Sequence, residues 1–108
     1  MKSDTYEEIV QRVVATVHPV RMLLFGSRAR GDYNDQSDYD FLVEVDDALV
    51  RESGRWNLLK QIRSHLPFGF PPADFLLFSS SEVAQYRNSK NHIVSRALRE
   101  GKVLYENR

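Results

Sequence analysis

The stretch Met22-Leu-Leu-Phe-Gly-Ser-Arg-Ala-Arg-Gly-Asp-Tyr-Asn-Asp-Gln-Ser-Asp-Tyr-Asp-Phe-Leu-Val-Glu-Val45 decides the fold. An apolar run ends at Gly26-Ser27, a polar segment with two arginines follows, and a second run opens on Asp38 and Asp40. Val20 to Phe25, bounded by Pro19 and Gly26, has the length of a strand buried on both faces. Ser27 is expected to cap a short helical turn through Arg30, with Gly31 as its exit. Residues 32–37 carry turn chemistry throughout. Tyr39 to Val45 returns to strand. Alternation puts Tyr39, Phe41, Val43 and Val45 on one face and Asp38, Asp40, Leu42 and Glu44 on the other. The two halves together ask for a polyanion at the Gly-Ser turn and a divalent cation at the aspartates.

Upstream, Asp4-Thr-Tyr-Glu7 has capping-box form. Ile9, Val10, Val13, Val14 and Val17 then recur on one helical face, and Pro19 should stop that helix near His18. Downstream, residues 46–54 are ambiguous, because Ser53-Gly54 interrupts a possible helix start. Trp56, Leu59, Ile62 and Leu66 mark the buried face of a helix over 55–65, ended by Pro67. Phe68, Phe70, Pro71 and Pro72 form a rigid apolar loop, read as core rather than contact surface. Residues 73–78 read as a third strand with Asp74 near its start. Ser79 to Glu82 is a second capping box, opening a helix to about Tyr86. Ile93, Val94, Ala97 and Leu98 mark a last helix, closed by Gly101 in a C′ position. Residues 103–105 suit a short edge strand. The order predicts one α/β (α+β) domain over 1–108, a small mixed sheet flanked by helices.

Composition narrows the class. Cysteine is absent, so there is neither a disulfide framework nor a thiolate metal site. The expectation is a cytoplasmic protein, with no signal peptide and no membrane span. Net charge is zero, but residues 1–54 carry −5 and residues 55–108 carry +5. No basic cluster with interleaved aromatics appears, so direct nucleic-acid binding is not expected. His18, His65 and His92 lack the spacing of a zinc site.

Three pieces carry chemistry. A glycine lets backbone approach a ligand closely, and the donors of a following helical turn, with the Ser27 hydroxyl, suit a phosphate. Arg28 and Arg30 add charge-assisted bonds. Asp38 and Asp40 lie roughly 6–7 Å apart along one strand face. Carboxylates so placed can converge on metal ions, and hard oxygen ligands select Mg2+ or Mn2+. Asp74 opens an otherwise apolar strand, and a buried carboxylate needs a partner or a metal. Beside the second strand it would join the metal site and accept a proton from an attacking hydroxyl. Each piece alone is ordinary; their spacing is not.

Gly26-Ser-Arg-Ala-Arg-Gly31 with Ser37-Asp-Tyr-Asp-Phe41, then Asp74 and the closing Gly101-Lys-Val-Leu-Tyr-Glu106, resembles the nucleotidyltransferase superfamily of the DNA polymerase β type. The resemblance is to its smallest branch, the minimal nucleotidyltransferase (MNT) domains. It implies transfer of AMP from ATP to a hydroxyl, with two Mg2+ ions bridging Asp38, Asp40 and the triphosphate. It further implies that Asp74 helps hold the ion that activates the hydroxyl, and that Gly26 and Ser27 hold the β and γ phosphates. Such stand-alone domains resemble the antitoxin half of HEPN–MNT pairs, which modify a tyrosine of a HEPN ribonuclease toxin. A chain of 108 residues, with no second wall for an acceptor, is expected to receive its acceptor from a partner or another subunit. Two rivals remain at this point: an antitoxin acting by binding alone, and a transferase acting on a small molecule of aminoglycoside type.

Overall fold

The computed structural model describes residues 2–66, 69–70 and 72–107, with the backbone alone for residues 2–5. The first helix, α1, spans Lys2–Val17. It already includes Asp4, so Asp4 is not the N-cap that its sequence position suggested. Ile9, Val13 and Val17, one turn apart, are its buried stripe. Pro19 disfavours continuing the helix at His18; His18 has a positive φ of 47°, and its N–H still reaches Val14 O at 3.0 Å.

Four strands form one sheet: β1 (Arg21–Phe25), β2 (Tyr39–Val45), β3 (Ala73–Ser79) and β4 (Lys102–Glu106), in the order β3-β2-β1-β4. β1 runs antiparallel to both β2 and β4, whereas β2 and β3 are parallel. Parallel neighbours need a long crossover. Two helices supply it, α3 (Asp47–Ser53) and α4 (Arg55–Ser64). Gly54, at φ 83°, joins them: its N–H closes α3 on Val50 O and its carbonyl opens α4 to Leu58 N–H. The ambiguous stretch is thus two helices broken at one glycine.

The alternation in β2 divides the core. Tyr39, Phe41, Val43 and Val45 meet Ile9, Val13, Leu58 and Ile62 on the face covered by α1 and α4. Leu42 packs on the opposite face with Leu23, Phe25 and Ala97, under α6 (Ile93–Glu100). Glu44, also on that face, is 7% exposed and ion-paired to Arg21 at 2.9 Å.

Trp56 is not core. It is 80% exposed, while Leu58 and Ile62 are buried. A series of i+3 steps falls about 60° short of a full turn each time. Two such steps carry Trp56 round the helix from Ile62 to the water side, and the i+4 pair Leu58–Ile62 faces the sheet instead. Phe70 packs against the core and Pro72 is exposed; Pro67, Phe68 and Pro71 lie outside the described residues.

α5 (Ser80–Tyr86) starts at the expected capping box, with Ser79 Oγ accepting from Glu82 N–H and Glu82 Oε1 accepting from Ser79 N–H. Gly101 departs from expectation. Its φ of −85° is extended, not left-handed. Glycine is needed there for space: a Cβ would strike the carbonyl of Ala97 and lie 2.9 Å from that of Leu24, because α6 ends directly on β1.

Candidate active site

At the end of β1 the chain turns at Gly26, with φ 76° and ψ −158°, conformational space that costs other residues strain. Gly26 is itself the N-cap of α2 (Ser27–Arg30), and its carbonyl accepts from Ala29 N–H and Arg30 N–H. Ser27 is therefore the first helical residue rather than the cap, and its hydroxyl is not consumed by a cap bond. Gly31 is left-handed, as expected, and its N–H closes on Ser27 O at 2.9 Å.

The sheet register brings the carboxylates to this turn. Asp40 stands opposite Phe25 on β1 and opposite Asp74 on β3. Asp40 Oδ2 fills the space that a Cβ on Gly26 would need. Gly26, Asp40 and Asp74 thus lie side by side across three strands. Asp38, exposed just before β2, joins them through charge. Burial first, then the charges of Asp74 and Asp38, hold the Asp40 carboxyl above its ordinary range, and only Arg30 opposes them. None of the three carboxylates forms an ion pair with a described residue. Among the described residues no three Asp, Glu or His side chains make a ready-built metal cage.

The two arginines differ. Arg30 is exposed and pairs with Asp32 at 3.3 Å and with Glu100 of α6 at 3.4 Å. Arg28 donates twice to Ser37 O, at 3.0 and 3.3 Å, and its guanidinium lies 4.4 Å from both the Tyr33 and Tyr39 rings. It fastens the 32–37 turn, which Asn34 and Ser37 tighten through their own hydrogen bonds, and so sets where Asp38 leaves the turn. Tyr39 itself is buried and stacked on Phe41.

An open cleft of about 590 Å³ lies beside the acids, lined by Asp40, Asp74, Phe25, Leu76, Phe75, Ile93 and Arg63. Arg63 was not among the residues singled out from sequence, and Ile93 was named there only as part of the last helix. Arg63, near the end of α4, donates to Ala73 O at 3.4 Å and lies over Phe75. No motif marks either residue; only the folded helices bring them to the cleft. Among the described residues no helix is long and apolar enough to cross a membrane.

A glycine turn abuts paired strand carboxylates, and the chain belongs to a nucleotidyltransferase family: residues 7–108 match Polymerase beta, Nucleotidyltransferase. Among individual proteins, it is 31% identical over 104 residues to the protein adenylyltransferase MntA of Aphanizomenon flos-aquae (strain 2012/KM1/D3). That alignment covers 92% of this chain and 65% of that protein, so the chain spans somewhat less than two thirds of its relative's length. Solved structures share the fold. A candidate nucleotidyltransferase from Sulfolobus solfataricus superposes with a TM-score of 0.65 at 21% identity, covering 96% of this chain and 79% of that one. A toxin–antitoxin structure with AMP-PNP gives 0.56 at 20% identity, covering 94% and 74%. A mutant of the toxin–antitoxin MntA–HpeT gives 0.53 at 18% identity with the same coverage.

Proposed function

We propose that this chain transfers AMP from ATP to a hydroxyl, that of a tyrosine on a partner HEPN ribonuclease toxin, and serves as that toxin's antitoxin. The observation that carries the reading is the abutment of Gly26, Asp40 and Asp74: bare backbone lies against one carboxylate, and the parallel register sets a second beside it. Likeness to a protein adenylyltransferase and to toxin–antitoxin structures supports the acceptor and partner classes.

The donor set of Asp38, Asp40 and Asp74 is all oxygen, and Asp40 is disfavoured as an anion by its own neighbours. Such a set fits a hard cation, Mg2+ or Mn2+, whose charge reverses that penalty. When bound, two such ions neutralise the triphosphate and acidify the attacking hydroxyl. The chain's own groups do the rest. Gly26 admits the β and γ phosphates to the backbone, and the Ser27 hydroxyl and the first amides of α2 donate to them. Arg30 supplies a cation at the same end, and Arg28 keeps the turn that carries Asp38 in place. Asp74, on the cleft wall, takes the proton of the acceptor hydroxyl as its oxygen attacks the α-phosphorus and pyrophosphate leaves. This is positioning and charge stabilisation without a covalent enzyme intermediate.

The test is to incubate the chain and its toxin with labelled ATP and Mg2+. The wild type labels the toxin, and the Asp38→Ala/Asp40→Ala variant does not. Equal labelling by both would sink the catalytic reading. Full neutralisation in cells by the double variant would instead make the chain an antitoxin by binding alone.

A further inference from the structure

The loop joining α5 to α6 holds a cluster that nucleotidyl transfer does not use. Arg87, Asn88, Ser89, Lys90, Ser95 and Arg99 line a cavity of about 280 Å³ that shares no residue with the cleft at Asp40 and Asp74. Three of the six are cationic and none is acidic. Among the described residues, Arg87, Lys90 and Arg99 form no ion pair; Arg99 makes one long hydrogen bond, 3.5 Å to Ser95 Oγ.

The walls, by contrast, are fixed. Ser95, 3% exposed, donates its hydroxyl back to Ser89 O at 2.5 Å and to His92 O at 3.2 Å, which ties the loop to the helix. His92 caps α6 through Val94 N–H at 3.1 Å and stacks flat on Tyr86, ring centroids 3.9 Å apart. The concavity is therefore held by uncharged contacts, while its cations are left unspent. A hollow lined by one sign of charge concentrates counter-ions. Guanidinium forks pair with phosphate oxygens two at a time, and a lysine adds a point charge.

The geometry points to a second ligand site, one that takes the phosphate group of a small molecule. Small-molecule pockets run to roughly 300–1,000 Å³. This cavity falls just below that span and has room for one or two phosphate groups. Ser95 and Arg99 stand on the helix whose first residue, Ile93, lines the catalytic cleft, so both sites lean on α6.

The probe is inorganic pyrophosphate, titrated calorimetrically into the full chain without divalent cations. The Arg87→Ala/Lys90→Ala double variant is expected to bind it roughly tenfold more weakly or worse. The Arg96→Ala/Lys102→Ala double variant removes the same charge outside the cavity and is expected to bind like the wild type. The proposal is overturned if pyrophosphate gives no binding heat, if the Arg87→Ala/Lys90→Ala variant binds like the wild type, since the turn at Gly26 then accounts for the heat, or if both double variants weaken binding equally, since general charge then suffices. It is also overturned if a short single-stranded RNA binds more tightly than pyrophosphate through Arg87 and Lys90, which would make the loop a nucleic-acid surface. Both targeted side chains are exposed, and matching melting temperatures for the two variants exclude misfolding as the cause.

Discussion

A methyl group at Gly26 would enter the volume held by Asp40 Oδ2, on a backbone at φ 76°. Strained left-handed backbone alone costs about 1–3 kcal/mol. Gly26→Ala is therefore expected to lose at least that much in a denaturant titration, and to lose transfer activity beyond what the unfolded fraction explains. Asp40 works the other way. Burial, Asp74 and Asp38 raise its carboxyl above the ordinary value of 3.8, so its ionised form burdens the fold at neutral pH. That burden lifts as pH falls through the folded-state value. Asp40→Asn is accordingly expected to melt higher than the wild type in cation-free neutral buffer while losing transfer; an unchanged or lower melting temperature would show the burden to be absent. Trp56, the single tryptophan, is a surface residue here. Its fluorescence should peak where solvated indole emits, and Trp56→Ala should shift stability by less than about 0.5 kcal/mol. The sequence misplaced Trp56 because apolar spacing at i+3 drifts around a helix, and chemistry cannot say which arc of the drift meets the sheet.

Among the elements, α3, α4 and α5 meet at one polar junction. Asp47, at the start of α3, accepts from the backbone N–H of Ser81 at 2.9 Å and from its hydroxyl. Arg55, at the start of α4, donates to both Glu82 oxygens at 2.5 and 2.6 Å, and Glu82 also closes the cap of α5. Burial pushes the Glu82 carboxyl up, but the Ser79 amide and the Arg55 guanidinium outweigh it and hold the carboxyl below its ordinary 4.5. Ser81, through its hydroxyl and then its amide, holds Asp47 below 3.8. A depressed carboxylate stabilises the fold above its unfolded value and loses that contribution as pH falls through the lower folded one. Melting temperature should thus decline below pH 4.5, and Glu82→Gln, which keeps a capping acceptor but loses the charge facing Arg55, should flatten that decline while lowering neutral stability by up to about 1 kcal/mol. An unaltered acid limb in the variant would remove Glu82 from the account. The capping box was legible because its residues sit three apart in the chain. The Arg55 and Asp47 contacts were not, because they join residues 27 and 34 positions apart.

For the whole molecule, four strands, their faces and the turn at Gly26 were readable, since each is set by local alternation, length or punctuation. The neighbours were less so. The edge position of β4 was legible, but that β3 lies parallel beside β2 and that β4 pairs with β1 is settled by packing across the chain. Asp74 was placed conditionally on that pairing, and the pairing puts it opposite Asp40. Arg63 carries no local signal, Ile93 signals only a helix, and both reach the cleft through the tertiary fold. Gly101 was read as a conformational need and turned out to be a steric one, a distinction visible only once Leu24 and Ala97 stand against it. The β2–β3 register has one more consequence. Side chains alternate across a strand, so a slip of a single residue would send Asp74 to the opposite face and set Ala73 or Phe75 beside Asp40. A misregistered chain would hold nearly the same helices and strands, and circular dichroism would pass it as native. A count of catalytically competent molecules would not. For this protein the yield of correct refolding is best assayed by its active fraction, because the pairing that folds the sheet also assembles the acids.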